Sequence, residues 1–165
     1  PPDTRDRHTL LIYLLHMSEK IGARLRRHEM QAQRFSVGLL GRDGWIGDRF
    51  RTVAPTDDGR VIYQMGRQLL RRIWAGEGIR QVRITALDPR PADDQRLLFA
   101  TGLPDRRAGN RVMDAINRRY GEFALAPARL LHRSDMPNVI APAWKPFGHR
   151  ETIGYREPAR DDQDA

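Results

Sequence analysis

The sequence predicts an α+β fold in which an open, mostly antiparallel sheet carries two helices on one face. Three stretches alternate with period two, so each would be apolar on one side and basic or hydroxylated on the other. Two further stretches repeat their apolar residues at helical spacing. Turn and capping residues separate the five in the order α-β-β-α-β.

The chain begins with a polar, proline-led entry, residues 1–8, that reads as a linker. Thr9 is placed to cap a helix over about residues 9–28, whose stripe is Leu10, Leu14, Met17, Ile21 and Leu25. Arg24, Arg26 and Arg27 fall in its last turn, where positive charge suits the helix dipole. A first strand follows over about residues 33–40, with Phe35, Val37 and Leu39 inward and Arg34, Ser36 and Gly38 outward. Gly41-Arg42-Asp43-Gly44 turns the chain into a second strand, about residues 45–53, in which Phe50 lies between outward Arg49 and Arg51. Pro55-Thr56-Asp57-Asp58 breaks the strand and starts a helix, with Thr56 or Asp57 as the cap. Ile62, Met65, Leu69 and Ile73 form its stripe, and Gly76 and Gly78 end it. A third strand, about residues 79–87, has Val82, Ile84 and Ala86 inward and Gln81, Arg83 and Thr85 outward, and Pro89 and Pro91 stop it.

Residues 9–91 thus make one compact unit, and residues 92–104 make a linker. Within that linker, Gln95-Arg96-Leu97-Leu98-Phe99 is an apolar island. It reads either as a peptide ligand for another protein, anchored by Leu98 and Phe99, or as a linker folded back on its own domain. Pro104-Asp105 opens a further helix to Tyr120, marked by Val112, Met113, Ile116 and Tyr120 and ended by Gly121. Residues 124–133 suggest a short helical turn, and the remainder of 105–155 has no clear period and reads as an irregular tail. Residues 156–165 are polar and acidic and are expected to be disordered.

Composition narrows the partners. The formal net charge is +8 and the sequence pI is about 10.8, which favours a polyanion, nucleic acid before acidic lipid. Only Lys20 and Lys145 among the 29 basic residues are lysines. Arginine's planar fork matches phosphate oxygens bidentately, although a codon bias would produce the same ratio. The absence of cysteine excludes disulfides, thiolate chemistry and cysteine-based zinc sites, and makes a cytoplasmic address the default. No apolar run is long enough to span a membrane. The five histidines lack ligand spacing, and the pairs Asp57-Asp58, Asp93-Asp94 and Asp161-Asp162 point apart along the chain, so no catalytic or metal residue is assigned. Arg34, Ser36, Arg49, Arg51, Gln81, Arg83 and Thr85 share the exposed sheet face and are the candidate nucleic-acid contacts. Only Trp45 offers an aromatic ring there, which argues against an RNA module that stacks several bases on its sheet.

These residues resemble a known family. Leu14-Leu15-His16-Met17-Ser18-Glu19-Lys20-Ile21 through Arg24-Leu25-Arg26 is similar to the first helix of the little finger domain of Y-family, translesion DNA polymerases. Arg49-Phe50-Arg51-Thr52, Pro55-Thr56-Asp57-Asp58, Leu69-Leu70 and Ile79-Arg80-Gln81-Val82-Arg83-Ile84 follow that domain's landmarks in order. Asp114-Ala115-Ile116-Asn117-Arg118-Arg119-Tyr120-Gly121 resembles the segment after it in the UmuC and ImpB/MucB/SamB branch. The resemblance implies a little finger-like (β)-α-β-β-α-β fold whose open sheet lies along double-stranded primer-template DNA and touches mainly phosphates. It adds Arg80 to the candidate contacts. It also implies that Gln95, Leu98 and Phe99 belong to a sliding-clamp-binding peptide, with Arg96 where relatives carry leucine. The family's leading strand has no counterpart pattern in residues 1–8, so the sheet is expected to lack one strand and expose an edge. The chain is then a carboxy-terminal fragment without catalysis or cofactor of its own, its parent polymerase holding magnesium elsewhere. The rival reading is a non-catalytic, polymerase-like subunit of the ImuB type that tethers partners to the clamp.

Overall fold

In the computed structural model, residues 3–92 and 106–131 are described. The elements are α1 (Arg7–Arg27), β1 (Met30–Gly41), β2 (Gly44–Thr56), α2 (Gly59–Ile73), β3 (Ile79–Ala86), β4 (Arg90–Pro91) and α3 (Arg107–Tyr120), followed by a 3-10 turn at Ala128–Leu130. The fold is α+β with an open antiparallel sheet, as expected. β1 is central: β2 pairs along one side of it and β3 along the other. β4 continues the β3 side, pairing Met30 with Pro91 and Gln31 with Arg90.

The β1–β2 connection is a two-residue loop, Arg42-Asp43, between the paired Gly41 and Gly44. Gly44 has φ +116°, a conformation glycine takes without the penalty a Cβ brings. Phe35, Val37 and Leu39 of β1 and Ile79, Val82, Ile84 and Ala86 of β3 are buried against Leu10, Leu14 and Leu15 of α1 and Ile62, Leu69 and Leu70 of α2. The period-two and helical-period readings therefore converge on one apolar layer.

The helix starts differ from expectation. Asp6, not Thr9, caps α1, accepting from the backbone N–H of His8 (3.1 Å) and Thr9 (2.8 Å), while the Thr9 hydroxyl donates to the same carboxylate (2.6 Å). Asp58 caps α2 by accepting from the Arg60 N–H (2.8 Å), and Thr56 instead supports the cap by accepting from the Asp58 N–H. An aspartate carboxylate reaches the open amides two and three residues on, and in each case the aspartate nearest the first turn takes the role. Among the described residues ahead of α1, Thr4 forms a bridge to the sheet, donating to the Ile79 carbonyl (3.0 Å) and accepting from its N–H (2.9 Å).

α1 and the start of α2 approach most closely at two glycines, Gly22 and Gly59. A Cβ on Gly22 would lie 2.7 Å from the Asp57 carbonyl oxygen and 2.8 Å from the Gly59 nitrogen, and one on Gly59 would lie 2.8 Å from the Glu19 Cα. The Gly22 contacts are all backbone and cannot give way cheaply, whereas Gly59 also faces the Glu19 carboxylate, 2.7 Å from where its Cβ would stand.

Residues 106–131 return to α1. Arg26 grips Asp114 of α3 with two hydrogen bonds (2.6 and 2.8 Å) and donates a third to the Asp57 carbonyl (2.6 Å). Lys20 pairs with Glu122, Arg106 pairs with Asp58, the His16 ring lies 4.8 Å from that of Phe123, and Leu130 is buried in the main core. α3 does not dock through the apolar stripe expected of it. Val112 is 59% and Tyr120 66% exposed, while Asn110 is buried. The bidentate Arg26–Asp114 pair sets the rotation of α3, and Met113 and Ile116 follow only to half burial.

Two outcomes test this packing. Gly22→Ala destabilises the protein by roughly 1–3 kcal/mol in urea unfolding, because overpacking exceeds the gain of about 1 kcal/mol that alanine brings a helix interior. A neutral or stabilising result removes the close helix contact. The second concerns Glu19, whose pKa is raised by burial and then by the neighbouring Asp58. A carboxyl with a raised folded-state pKa contributes stability at low pH and loses it as pH rises through that value. Glu19→Gln therefore raises stability at pH 7 and flattens the decline above the ordinary carboxylate range, read from urea midpoints at pH 4–8.

Candidate functional site

The side of the sheet away from the helices is built as transverse rows, because paired residues in antiparallel strands share a face. Arg51 stands opposite Arg34; Arg49, Ser36 and Thr85 form the next row; Gly47, Gly38 and Arg83 the next; and Trp45, Leu40 and Gln81 the last. Every outward residue expected on the three strands is brought to this face. Phe50 marks the opposite parity, stacking on Phe35 at 5.4 Å with the rings 16° apart.

The arginines are not equivalent. Arg34 is tied to Asp88, which accepts from its backbone N–H (2.7 Å), from the Gln33 N–H (3.1 Å) and from its guanidinium (3.3 Å). Burial alone would raise the Asp88 pKa, but these N–H donors and the Arg34 charge outweigh it and hold the carboxyl below its ordinary value. Asp88 thus does for β1 what a strand partner would do, at the break between β3 and β4. On the β2 side, β1 bulges between Ala32 and Arg34. The Gln33 amide bridges it, donating to the Thr52 and Val53 carbonyls (3.0 Å each) and accepting from Arg51 (3.1 Å).

Arg80 departs from the expectation. β1 and β3 lose register between Leu40 and Gly41, leaving Arg80 in a bulge with no partner across the strands. Its side chain pairs with Asp3 (2.9 Å), whose pKa is lowered chiefly by that hydrogen bond. Arg80 therefore stands beside the rows instead of in them. Arg49, Arg51 and Arg83 have no carboxylate within ion-pairing distance among the described residues. Arg83 instead lies over the Trp45 ring, 4.6 Å from its centroid.

Sequence reading missed the residues that organise these arginines. The stop signals there are Pro89 and Pro91, which leave Asp88 without a role, and Gln33 reads as the start of a strand. No local signal announces a carboxylate that caps the neighbouring strand. Gln95, Leu98 and Phe99 lie outside the described residues. Among the described residues, no three histidine, aspartate or glutamate side chains converge to hold a metal ion. No described helix is long and apolar enough to cross a membrane.

Comparison with known proteins places this geometry. Over 124 residues, 73% of this chain, it is 25% identical to DNA polymerase IV 2 of Bacillus subtilis (strain 168), and the match spans 30% of that protein's length. Residues 1–98 match the impB/mucB/samB family C-terminal domain, the region that holds α1, the whole sheet and α2. With more than half of its length matched and an α+β sheet of the expected order, the chain belongs to the impB/mucB/samB family C-terminal domain, the little finger of Y-family DNA polymerases.

Proposed function

We propose that this domain grips double-stranded primer-template DNA for an error-prone translesion polymerase, laying its open sheet face against the phosphates. The observation that carries the reading is the first two rows of that face. Arg34 and Arg51 stand directly opposite each other with Arg49 beside them, and only Asp88 opposes their charge among the described residues. Like charges placed opposite on adjacent strands destabilise a sheet. A phosphate backbone relieves that repulsion and is matched by the guanidinium fork. Ser36 and Thr85, across from Arg49, supply hydroxyl donors to the same oxygens. Arg34 and Arg80 join by exchanging Asp88 and Asp3 for phosphate, a small loss because both guanidinium groups are open to water and Asp88 keeps its backbone N–H donors.

The nucleotidyl transfer and its magnesium are assigned to the catalytic part of the parent polymerase, and no step of that chemistry is routed through this domain. Gln95, Leu98 and Phe99 are proposed as the anchors of a sliding-clamp peptide, on the strength of their order in the sequence. Capture of the protein by immobilised clamp then falls at least about tenfold in Leu98→Ala/Phe99→Ala. Equal capture ends that assignment.

The grip is tested by the salt dependence of duplex affinity. Replacing Arg49, Arg51 and Arg83 by alanine together lowers the slope of log affinity against log salt by about 3, near one unit for each phosphate no longer neutralised. Arg60→Ala, on the exposed side of α2, leaves the slope as it was. A triple variant with the wild-type slope overturns the sheet face as the DNA site.

A further inference from the structure

The open face has two unlike halves. Arg34, Arg49 and Arg51 with Ser36 and Thr85 occupy one, while Trp45, Leu40, Gly38 and Gly47 occupy the other, with Arg83 as its one charge. Phosphates explain the first half and, apart from Arg83, leave the second without a ligand. Trp45 keeps 46% of its surface open to solvent and is the one aromatic ring on this face among the described residues.

Its seat is built. Trp45 reaches diagonally across the hairpin to Gly38, where a Cβ would lie 3.2 Å from the ring, tighter than ordinary packing allows. Arg83, paired with Gly38 from the other side, places its guanidinium 4.6 Å from the ring centroid. The ring thus meets Gly38 with the edge that bears Cε3 and Cζ3, and the Arg83 guanidinium lies over one of its faces. Duplex DNA presents phosphates and groove edges and has no use for such a ring, but a base outside the stack does.

Building on the duplex grip proposed above, we infer that Trp45, seated on Gly38 and flanked by Arg83, is a stacking platform for one unpaired nucleobase of a single strand continuing from the bound duplex. Four residues of β2 separate Trp45 from Arg49, about 13 Å along the strand. That is the rise of roughly four nucleotides, so the stacked base lies a few nucleotides beyond the phosphates held by the arginines. The adjoining Leu40 and Gln81 give this end an apolar floor with one amide, suited to any base and selective for none.

The experiment compares a blunt duplex with the same duplex carrying a five-nucleotide single-stranded extension, using 2-aminopurine at each unpaired position in turn. The wild-type protein is expected to bind the extended duplex about tenfold more tightly and to quench one 2-aminopurine position. Trp45→Leu, which keeps bulk without a stacking ring, erases both effects while blunt-duplex affinity stays within about twofold. Trp45→Phe retains most of each. The platform is overturned if Trp45→Leu weakens both duplexes equally alongside a lower melting temperature, since that describes a hairpin brace. It is also overturned if the wild-type protein binds the blunt duplex yet gains nothing from the extension, an outcome that leaves the duplex grip standing. Binding to neither substrate removes both.

Discussion

The pleat of β1 governs the whole domain. It is hydrogen-bonded on both sides, so the parity of its residues dictates what three strands present to each face. Phe35, Val37 and Leu39 must be covered, and α1 and α2 cover them; Arg34, Ser36 and Gly38 are then obliged to face outward together with their partners Arg51, Arg49, Thr85 and Arg83. A slip of one residue would bury the arginines and expose the phenylalanine. Burial of the apolar face therefore holds the basic face in register, and the core specifies the site without touching it.

Charge is handled oppositely on the two sides. On the helix side, Arg26, Lys20 and Arg106 each meet a carboxylate where residues 106–131 return to α1 and the start of α2, and Arg26 does so with two hydrogen bonds at low exposure. Charged groups so sheltered need partners, since an uncompensated one would be costly. On the open face, Arg49, Arg51 and Arg83 are left to solvent without carboxylates among the described residues. Part of the chain's positive charge is thus displayed on a face where no packing requires it, the arrangement a polyanion-binding surface calls for.

The edge of the sheet follows the same logic of pairing. On its side away from β1, β3 receives the Thr4 bridge at Ile79 among the described residues, and the Arg80 bulge with its Asp3 ion pair lies beside that bridge. A bulge and an exposed ion pair both discourage unwanted strand addition at an open edge. Arg80, which the family resemblance adds to the candidate contacts, stands beside the rows and holds this ion pair at the edge.

The amino-acid sequence by itself determined the element order, the two faces of each strand and the identity of the outward arginines, because alternation and helical spacing are local properties of the chain. It also determined the family, through landmarks in collinear order. Only the tertiary structure decided which arginines are held by carboxylates, since Asp88 reaches Arg34 and Asp3 reaches Arg80 across 54 and 77 residues of sequence. It likewise decided that Gly22 and Gly59 are the point where two helices touch, that α3 turns on an Arg26–Asp114 pair, and that Gly38 is the seat of Trp45. Each of these depends on atoms brought together from distant segments, and no periodicity within a segment encodes them.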